Sequence, residues 1–285
     1  MKIIESPREG MQSLDFVIPQ EKKIKYLNTL LNVGFDTVEL GSIVSPKLIP
    51  QMADTLELLP KLDYSSTRSN RMMLVVNKKG AEIASGIEQI THISYPFSVS
   101  PTFLKLNLNT TIEKSMETVA DILEICYRSN KQPVIYISMA FGNPYGDEWN
   151  MELMKEWVGK LKDAGVRILP LSNVAIEIDK DLIASMFSTM IPAFPEVEFG
   201  MHLHTTNKDW YANVEAAYQH GVRRLDGVIN GYGGCPMSGE EMLGNLNTEN
   251  IVTFMEQNNL PAQLDKAAFS RAMMLASFTF SNPIT

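Results

Sequence analysis

The sequence predicts a (β/α)8 barrel, the TIM-barrel architecture, on three observations. Eight short apolar runs alternate with eight helical patterns, which is the signature of a parallel sheet with right-handed crossovers. At 285 residues the chain has the usual size of one such barrel. An open doubly wound sheet would instead place a Gly-x-Gly-x-x-Gly turn after an early strand, and the first turn here is Pro7-Arg8-Glu9-Gly10.

Taken in order, residues 2–6 form the first strand, and residues 20–33 the first helix, with Ile24, Leu27, Leu30 and Leu31 at helical spacing and Gly34 as the stop. Residues 35–40 are the second strand, with Glu39 near its end, and 50–59 the second helix. Residues 72–76 and 79–86 form the third pair, with Asn77 after the strand. Residues 89–93 are the fourth strand, followed by a loop and a long amphipathic helix over 111–128. The second half keeps the rhythm. Its strands are 133–139, 166–171, 198–204 and 224–229, and its helices 148–164, 179–191, 210–220 and 248–257. No linker or low-complexity segment divides the chain, so residues 1–285 are expected as a single domain. Residues 261–285 form a C-terminal extension whose helix, 266–276, packs on the barrel or on a neighbouring subunit.

A net charge of -8 disfavours nucleic-acid and anionic-membrane partners, so an anionic ligand must be held by local groups. No apolar run approaches the ~20 residues that span a bilayer, and the first residues lack a secretory apolar core, so a cytoplasmic protein is expected. The two cysteines point to no disulfide framework: Cys126 falls in a helical pattern and Cys235 in a glycine-rich loop.

Barrel active sites sit at the C-terminal ends of the strands, and the unusual polar residues of this chain fall there. Arg8 and Glu9 follow the first strand, Glu39 ends the second, Asn77 follows the third and Asn173 follows the sixth. His202 and His204 end the seventh; at i and i+2 of a strand the two imidazoles share a face and can grip one divalent ion. After the eighth strand a glycine-rich stretch, Asn230 to Pro236, runs on to Gly244-Asn245 and reads as a lid carrying the Cys235 thiol. The plainer readings are a structural Arg8–Glu9 ion pair, a buried Glu39 satisfied by backbone, and an inert Cys235 in a tight turn. Cys126, His92 and His220 read as structural.

Several of these stretches together resemble one known family. They are Pro7-Arg8-Glu9-Gly10-Met11-Gln12, the run from Glu39 to Gln51, Phe141-Gly142-Asn143-Pro144-Tyr145, His202-Leu203-His204, and Gly233-Gly234-Cys235-Pro236 followed by Gly244-Asn245. In this order they resemble hydroxymethylglutaryl-CoA lyase, a branch of the metal-dependent barrel lyases and synthases that include isopropylmalate and homocitrate synthases. The resemblance implies retro-Claisen cleavage of 3-hydroxy-3-methylglutaryl-CoA, or a related 3-hydroxyacyl-CoA, to acetyl-CoA and acetoacetate, with Mg²⁺ or Mn²⁺ as cofactor. By the same resemblance Glu9, His202, His204 and Asn245 are metal ligands. Arg8 stabilises the enolate oxygen, Cys235 protonates the enolate carbon, and Glu39 moves protons or supports the site. Ser42, Asn107 and Tyr136 are further candidates for substrate or CoA contacts, and a homodimer is expected. The chain departs from the family at Glu9, Asn173 and Thr205, where Asp is usual, and its lid is one residue longer; fewer carboxylates near the ion imply weaker binding. A Claisen-type synthase and a non-catalytic metal- or acyl-binding barrel are the alternatives. An amidohydrolase fits less well, because its His-x-His follows the first strand.

Overall fold

In a computed structural model, which describes residues 1–174, 176–234 and 243–281, eight parallel strands close in sequence order into a barrel. They are β1 Lys2–Glu5, β2 Thr37–Ile43, β3 Asn70–Val75, β4 His92–Ser98, β5 Gln132–Ser138, β6 Ile168–Ser172, β7 Glu198–His202 and β8 Arg224–Gly227. The last strand returns to the first through a register that opposes Lys2 to Arg224 and Ile4 to Asp226. Alternation sorts the side chains. Ile4, Met72, Val134, Tyr136 and Ile168 meet as a small cluster inside the barrel. Their sequence neighbours Ile3, Met73, Ile135 and Leu169 join the larger core under the helices.

The crossover helices are α2 Gln20–Leu31, α4 Lys78–Ser85, α6 Ile112–Ser129, α7 Met151–Ala164, α8 Lys180–Ala193, α9 Trp210–Gln219 and α10 Thr248–Gln257, preceded by α1 Pro7–Gln12 and interrupted by the short α3 Thr55–Leu58 and by α5 Pro101–Leu108. Polar side chains start several of them by accepting a backbone N–H: Asn77 for α4, Ser100 for α5, Thr111 for α6, Asn150 for α7 and Asp179 for α8. Asn77, expected among the rim residues, is therefore a helix cap. The terminal helix α11, Lys266–Thr279, lies along α2 and sends Phe280 onto Tyr232, with stacked rings 4.5 Å apart. Among the described residues no helix is long and apolar enough to cross a membrane.

Four elements differ from expectation. The turn after β1 is a helix, α1, because Pro7 at its first position has the right φ and needs no N–H partner. β4 starts later than residues 89–93 and runs through Pro96, whose missing N–H weakens the strand signal without preventing pairing to Tyr136. The helix expected over 50–59 is broken into 3-10 turns at Pro50–Met52 and Leu59–Lys61 around α3, since Pro60 cannot continue a helical hydrogen-bond ladder. The loop after β4 holds α5, which Ser100 and Pro101 start.

One irregularity shapes the barrel mouth. The β2–β3 register slips between Glu39 and Gly41, a bulge that inserts one residue. Before it Glu39 faces inward. Gly41 points out, where an added Cβ would stand 2.7 Å from Thr55 Cγ2 of α3. Inward alternation resumes at Ser42.

Candidate functional site

Arg8 is the hub of the rim, and α1 places it there by turning the chain inward as it leaves β1. Its Nε donates to Glu39 Oε2 at 2.9 Å, Nη2 to Glu39 Oε1 at 3.2 Å and to Glu9 Oε1 at 2.5 Å, and Nη1 to Gln12 Oε1 at 2.7 Å. These contacts engage four of the five guanidinium N–H donors and leave one on Nη1. Gln12, one helical turn on, also donates from Nε2 to Glu9 Oε2 at 3.0 Å. The plain ion-pair reading of Arg8 and Glu9 is thus part of the truth, but the pair sits within a larger polar group.

The two carboxylates on Arg8 are driven in opposite directions. Burial works to raise both. At Glu9 the charge of Arg8 and the field of His202 and His204 outweigh burial and hold the carboxyl at about 2. Glu39 is 2% exposed, and burial with the neighbouring Glu9 charge wins over Arg8, so its carboxyl lies above the ordinary range. Adjacent carboxylates pushed apart in this way form an acid and base pattern.

Opposite this group stand the two imidazoles, with ring centroids 4.9 Å apart. His202 Nδ1 lies 3.1 Å from Asp226 Oδ2. Burial disfavours the charged ring, but Asp226, Glu9 and Glu39 outweigh it and hold the His202 pKa above its usual value. His204 is buried too, and of these carboxylates Glu9 alone works to raise its pKa. Burial and the adjacent His202 lower its pKa to about 3, so the ring is neutral at physiological pH.

Asn245 reaches the same place by a returning segment. Leu246 N bonds to Leu203 O and Thr205 N to Gly244 O, so that His204 and Asn245 form an antiparallel bridge. The Asn245 amide donates from Nδ2 to Tyr232 O at 2.8 Å. Its Oδ1 and His204 Nδ1 are both buried without a hydrogen-bond partner among the described residues, and buried polar atoms ordinarily have one. Oxygen and nitrogen donors of this kind suit a divalent ion with open positions. Among the described residues no three His, Cys, Asp or Glu side chains form a metal-ready group; the donor set counts two imidazoles, an amide, and a Glu9 carboxylate held on Arg8 and Gln12. On the evidence of the two orphaned atoms, these residues fit a divalent ion.

The family departures have local explanations. Asn173 uses its amide as a clip on the end of β7: Oδ1 accepts from His204 N at 2.8 Å, and Nδ2 donates to His204 O at 2.7 Å and to Ile176 O at 2.6 Å. A carboxylate makes only the first of these bonds. Thr205 donates from Oγ1 to Glu177 Oε1 at 2.8 Å, so a carboxylate arrives from a different loop.

The remaining candidates scatter. Ser42 Oγ, on β2 past the bulge, is buried and has no hydrogen-bond partner among the described residues. The Tyr136 hydroxyl donates to Asp226 Oδ2 at 2.6 Å. Asn107 is exposed on α5. Cys235 lies outside the described residues. Two residues that take part were not singled out from the sequence, Gln12 and Asp226. Asp226 was detectable as a carboxylate at the centre of a barrel strand, where its neighbour Leu225 is core.

Comparison with known proteins agrees with this fold. The HMGL-like family model matches residues 1–275. The mitochondrial hydroxymethylglutaryl-CoA lyase of Homo sapiens is 30% identical over 259 residues, covering 90% of this chain and 78% of that protein. The (R)-citramalyl-CoA lyase of Chloroflexus aurantiacus is 25% identical over 288 residues, covering 98% and 90%. Among solved structures, the HMG-CoA lyase of Bacillus subtilis superposes with a TM-score of 0.91 at 26% identity, covering 99% of this chain and 94% of that one. An HMG-CoA lyase from Acinetobacter baumannii, in complex with coenzyme A and 3-methylmalate, gives 0.87 at 26% identity, covering 97% and 91%. With its eight-stranded barrel, its polar rim and a family match over nearly the whole length, the chain belongs to the HMGL-like family of acyl-CoA lyases.

Proposed function

We propose that this protein cleaves 3-hydroxy-3-methylglutaryl-CoA, or a closely related 3-hydroxyacyl-CoA, to acetyl-CoA and an oxo acid. One observation carries the reading: Arg8, Glu9, Glu39, His202, His204 and Asn245, far apart in sequence, meet at one barrel rim, with His204 Nδ1 and Asn245 Oδ1 buried and without a partner among the described residues. The relative bound to coenzyme A supports an acyl-CoA ligand. The citramalyl-CoA lyase relative supports a second 3-hydroxyacyl thioester as the alternative substrate.

In the reaction the tertiary hydroxyl loses its proton and its oxygen becomes a ketone. The carbon–carbon bond breaks, and its electron pair passes to the departing acetyl thioester as an enolate, which takes up a proton at carbon. Glu9, His202, His204 and Asn245 would hold Mg²⁺ or Mn²⁺. Such an ion, when bound, supplies the Lewis acidity that lowers the pKa of the substrate hydroxyl. Arg8 offers its one remaining N–H to the thioester oxygen, where negative charge develops. Its cationic form is secure, because Glu39 and Glu9 overcome the effect of burial and raise its pKa further. Glu39, inclined to hold a proton, is placed to relay one. Cys235 is assigned the proton delivered to the enolate carbon.

The test is incubation of purified protein with 3-hydroxy-3-methylglutaryl-CoA and with citramalyl-CoA, each with Mg²⁺ or Mn²⁺, following acetyl-CoA release. Metal-dependent release from either thioester is expected, and it should be abolished by Arg8→Met. Absence of acetyl-CoA with both substrates and both ions overturns the lyase reading and favours a binding role.

A further inference from the structure

We propose that Asp226 and Tyr136 are positioning residues for His202: the carboxylate, itself oriented by the phenol, fixes the proton on Nδ1 and so reserves Nε2 for a divalent ion. The inference deepens the lyase reading and rests on its divalent-ion site.

The chain of contacts runs inside the barrel. Asp226 lies on β8, directly opposite His202 of β7 in the strand register, and is 2% exposed. Its Oδ2 is a shared acceptor, receiving the Tyr136 hydroxyl at 2.6 Å and facing His202 Nδ1 at 3.1 Å. A carboxylate only accepts, so the imidazole nitrogen facing it must carry the hydrogen. In a neutral ring the other nitrogen then holds the free lone pair. The Tyr136 ring meets the imidazole edge-on, with centroids 5.8 Å apart and planes at 89°, and so limits its rotation.

The position of the carboxylate has its own support. Arg224, two residues earlier on the same face of β8, is 1% exposed and acts electrostatically on both Tyr136 and Asp226. Among the described residues, two of its nitrogens, Nε and Nη2, have no hydrogen-bond partner, and neither has Asp226 Oδ1. A buried cation with spare donors beside a buried carboxylate with a spare oxygen offsets charge there without competing for Oδ2. Purely structural packing would not require this: Ile4, Met72, Val134 and Ile168 show that the same barrel interior is filled elsewhere by apolar side chains. Tyr136, a candidate for substrate contact from the sequence, acquires through Oδ2 a role that needs no substrate.

Two measurements separate this role from mere structure. In ion-free protein at alkaline pH, ¹⁵N spectra of the imidazoles, of which the chain has four, should show His202 as the Nδ1–H tautomer. An Nε2–H tautomer overturns the proposal without any variant. In the second, Mn²⁺ affinity is read by electron paramagnetic resonance for wild type, for Asp226→Asn, and for the double variant Asp226→Leu with Tyr136→Phe. The double variant removes the acceptor and the hydroxyl that would be stranded by its loss. Its affinity should fall roughly 10- to 100-fold, the range found when the outer partner of a ligating histidine is lost, and the Nδ1–H preference should disappear. Asp226→Asn keeps an acceptor oxygen but not the charge, so it should retain the tautomer and fall between the two. A double variant that binds Mn²⁺ as tightly as wild type overturns the role of Asp226. Wild type that takes up no Mn²⁺ overturns the divalent-ion reading itself, and the tautomer measurement distinguishes the two failures.

Discussion

Glu5 points outward from β1 into a wholly buried position, where Oε1 accepts from Ile229 N at 3.0 Å and Oε2 from Thr248 Oγ1 at 2.6 Å. Burial pushes its carboxyl from 4.5 up to about 8, against the pull of those two donors and with some help from Glu249. An unfolded chain releases this proton near 4.5 and the folded barrel keeps it to about 8, so the folded state binds more protons in between. Stability therefore falls as pH rises through that window and levels off above it. At about 1.4 kcal/mol per pH unit the ceiling on the loss is about 5 kcal/mol, with roughly 3 kcal/mol gone by neutrality. Glu5→Gln is neutral at every pH, keeps an acceptor for Ile229 N, and offers an amide N–H to Thr248 Oγ1. Urea unfolding of the two proteins at a series of pH values between about 4.5 and 8 reads the difference. The variant should gain steadily on wild type as pH rises, while groups common to both, His202 among them, cancel. Parallel stability curves would refute the reasoning and show that Glu5 is ionised in the fold.

Two further expectations concern the rim. Gly233 has φ +84, and an added Cβ would stand 2.3 Å from Glu9 O; Gly233→Ala should add about 1–3 kcal/mol of local strain and push α1 from the loop, reducing turnover at least tenfold. Wild-type kcat/KM in that variant would show that the loop does not set the position of Glu9. Asn173→Asp removes both Nδ2 donations, to His204 O and Ile176 O, and places a carboxylate against two carbonyls. It should lower stability by roughly 1–3 kcal/mol in ion-free protein, measured by thermal unfolding; unchanged stability would mean the clip is not needed.

The barrel was legible in the sequence because its signals are local and repeated. Runs such as Ile168 to Leu171 or Phe199 to Met201 are buried on both faces, so near-continuous apolarity marks them whatever surrounds them. The residues at the strand ends were legible for a related reason, since Arg8, Glu39 and His202 are polar where the pattern calls for core. What could not be read is how these residues divide their hydrogen bonds. That Glu9 is shared between Arg8 and Gln12 depends on the helical turn of α1, which Pro7-Arg8-Glu9-Gly10 disguises as a loop. That Asp226 serves His202 depends on the β7–β8 register, a contact between residues 24 apart with no local signature. Asn173 illustrates the limit most clearly: the sequence shows a missing carboxylate, and only three dimensions show an amide stapling the backbone that carries His204.

The bulge in β2 has a consequence for how this chain can change over time. Because the bulge absorbs one extra residue between Glu39, which pairs with Met72, and Gly41, which pairs with Met73, deleting Leu40 would restore regular alternation and leave Ser42 opposite Leu74, facing the lumen, and Ile43 opposite Val75 as before. A lineage can therefore lose or regain one residue at this joint while the scaffold and the side chains lining its mouth both keep their phase.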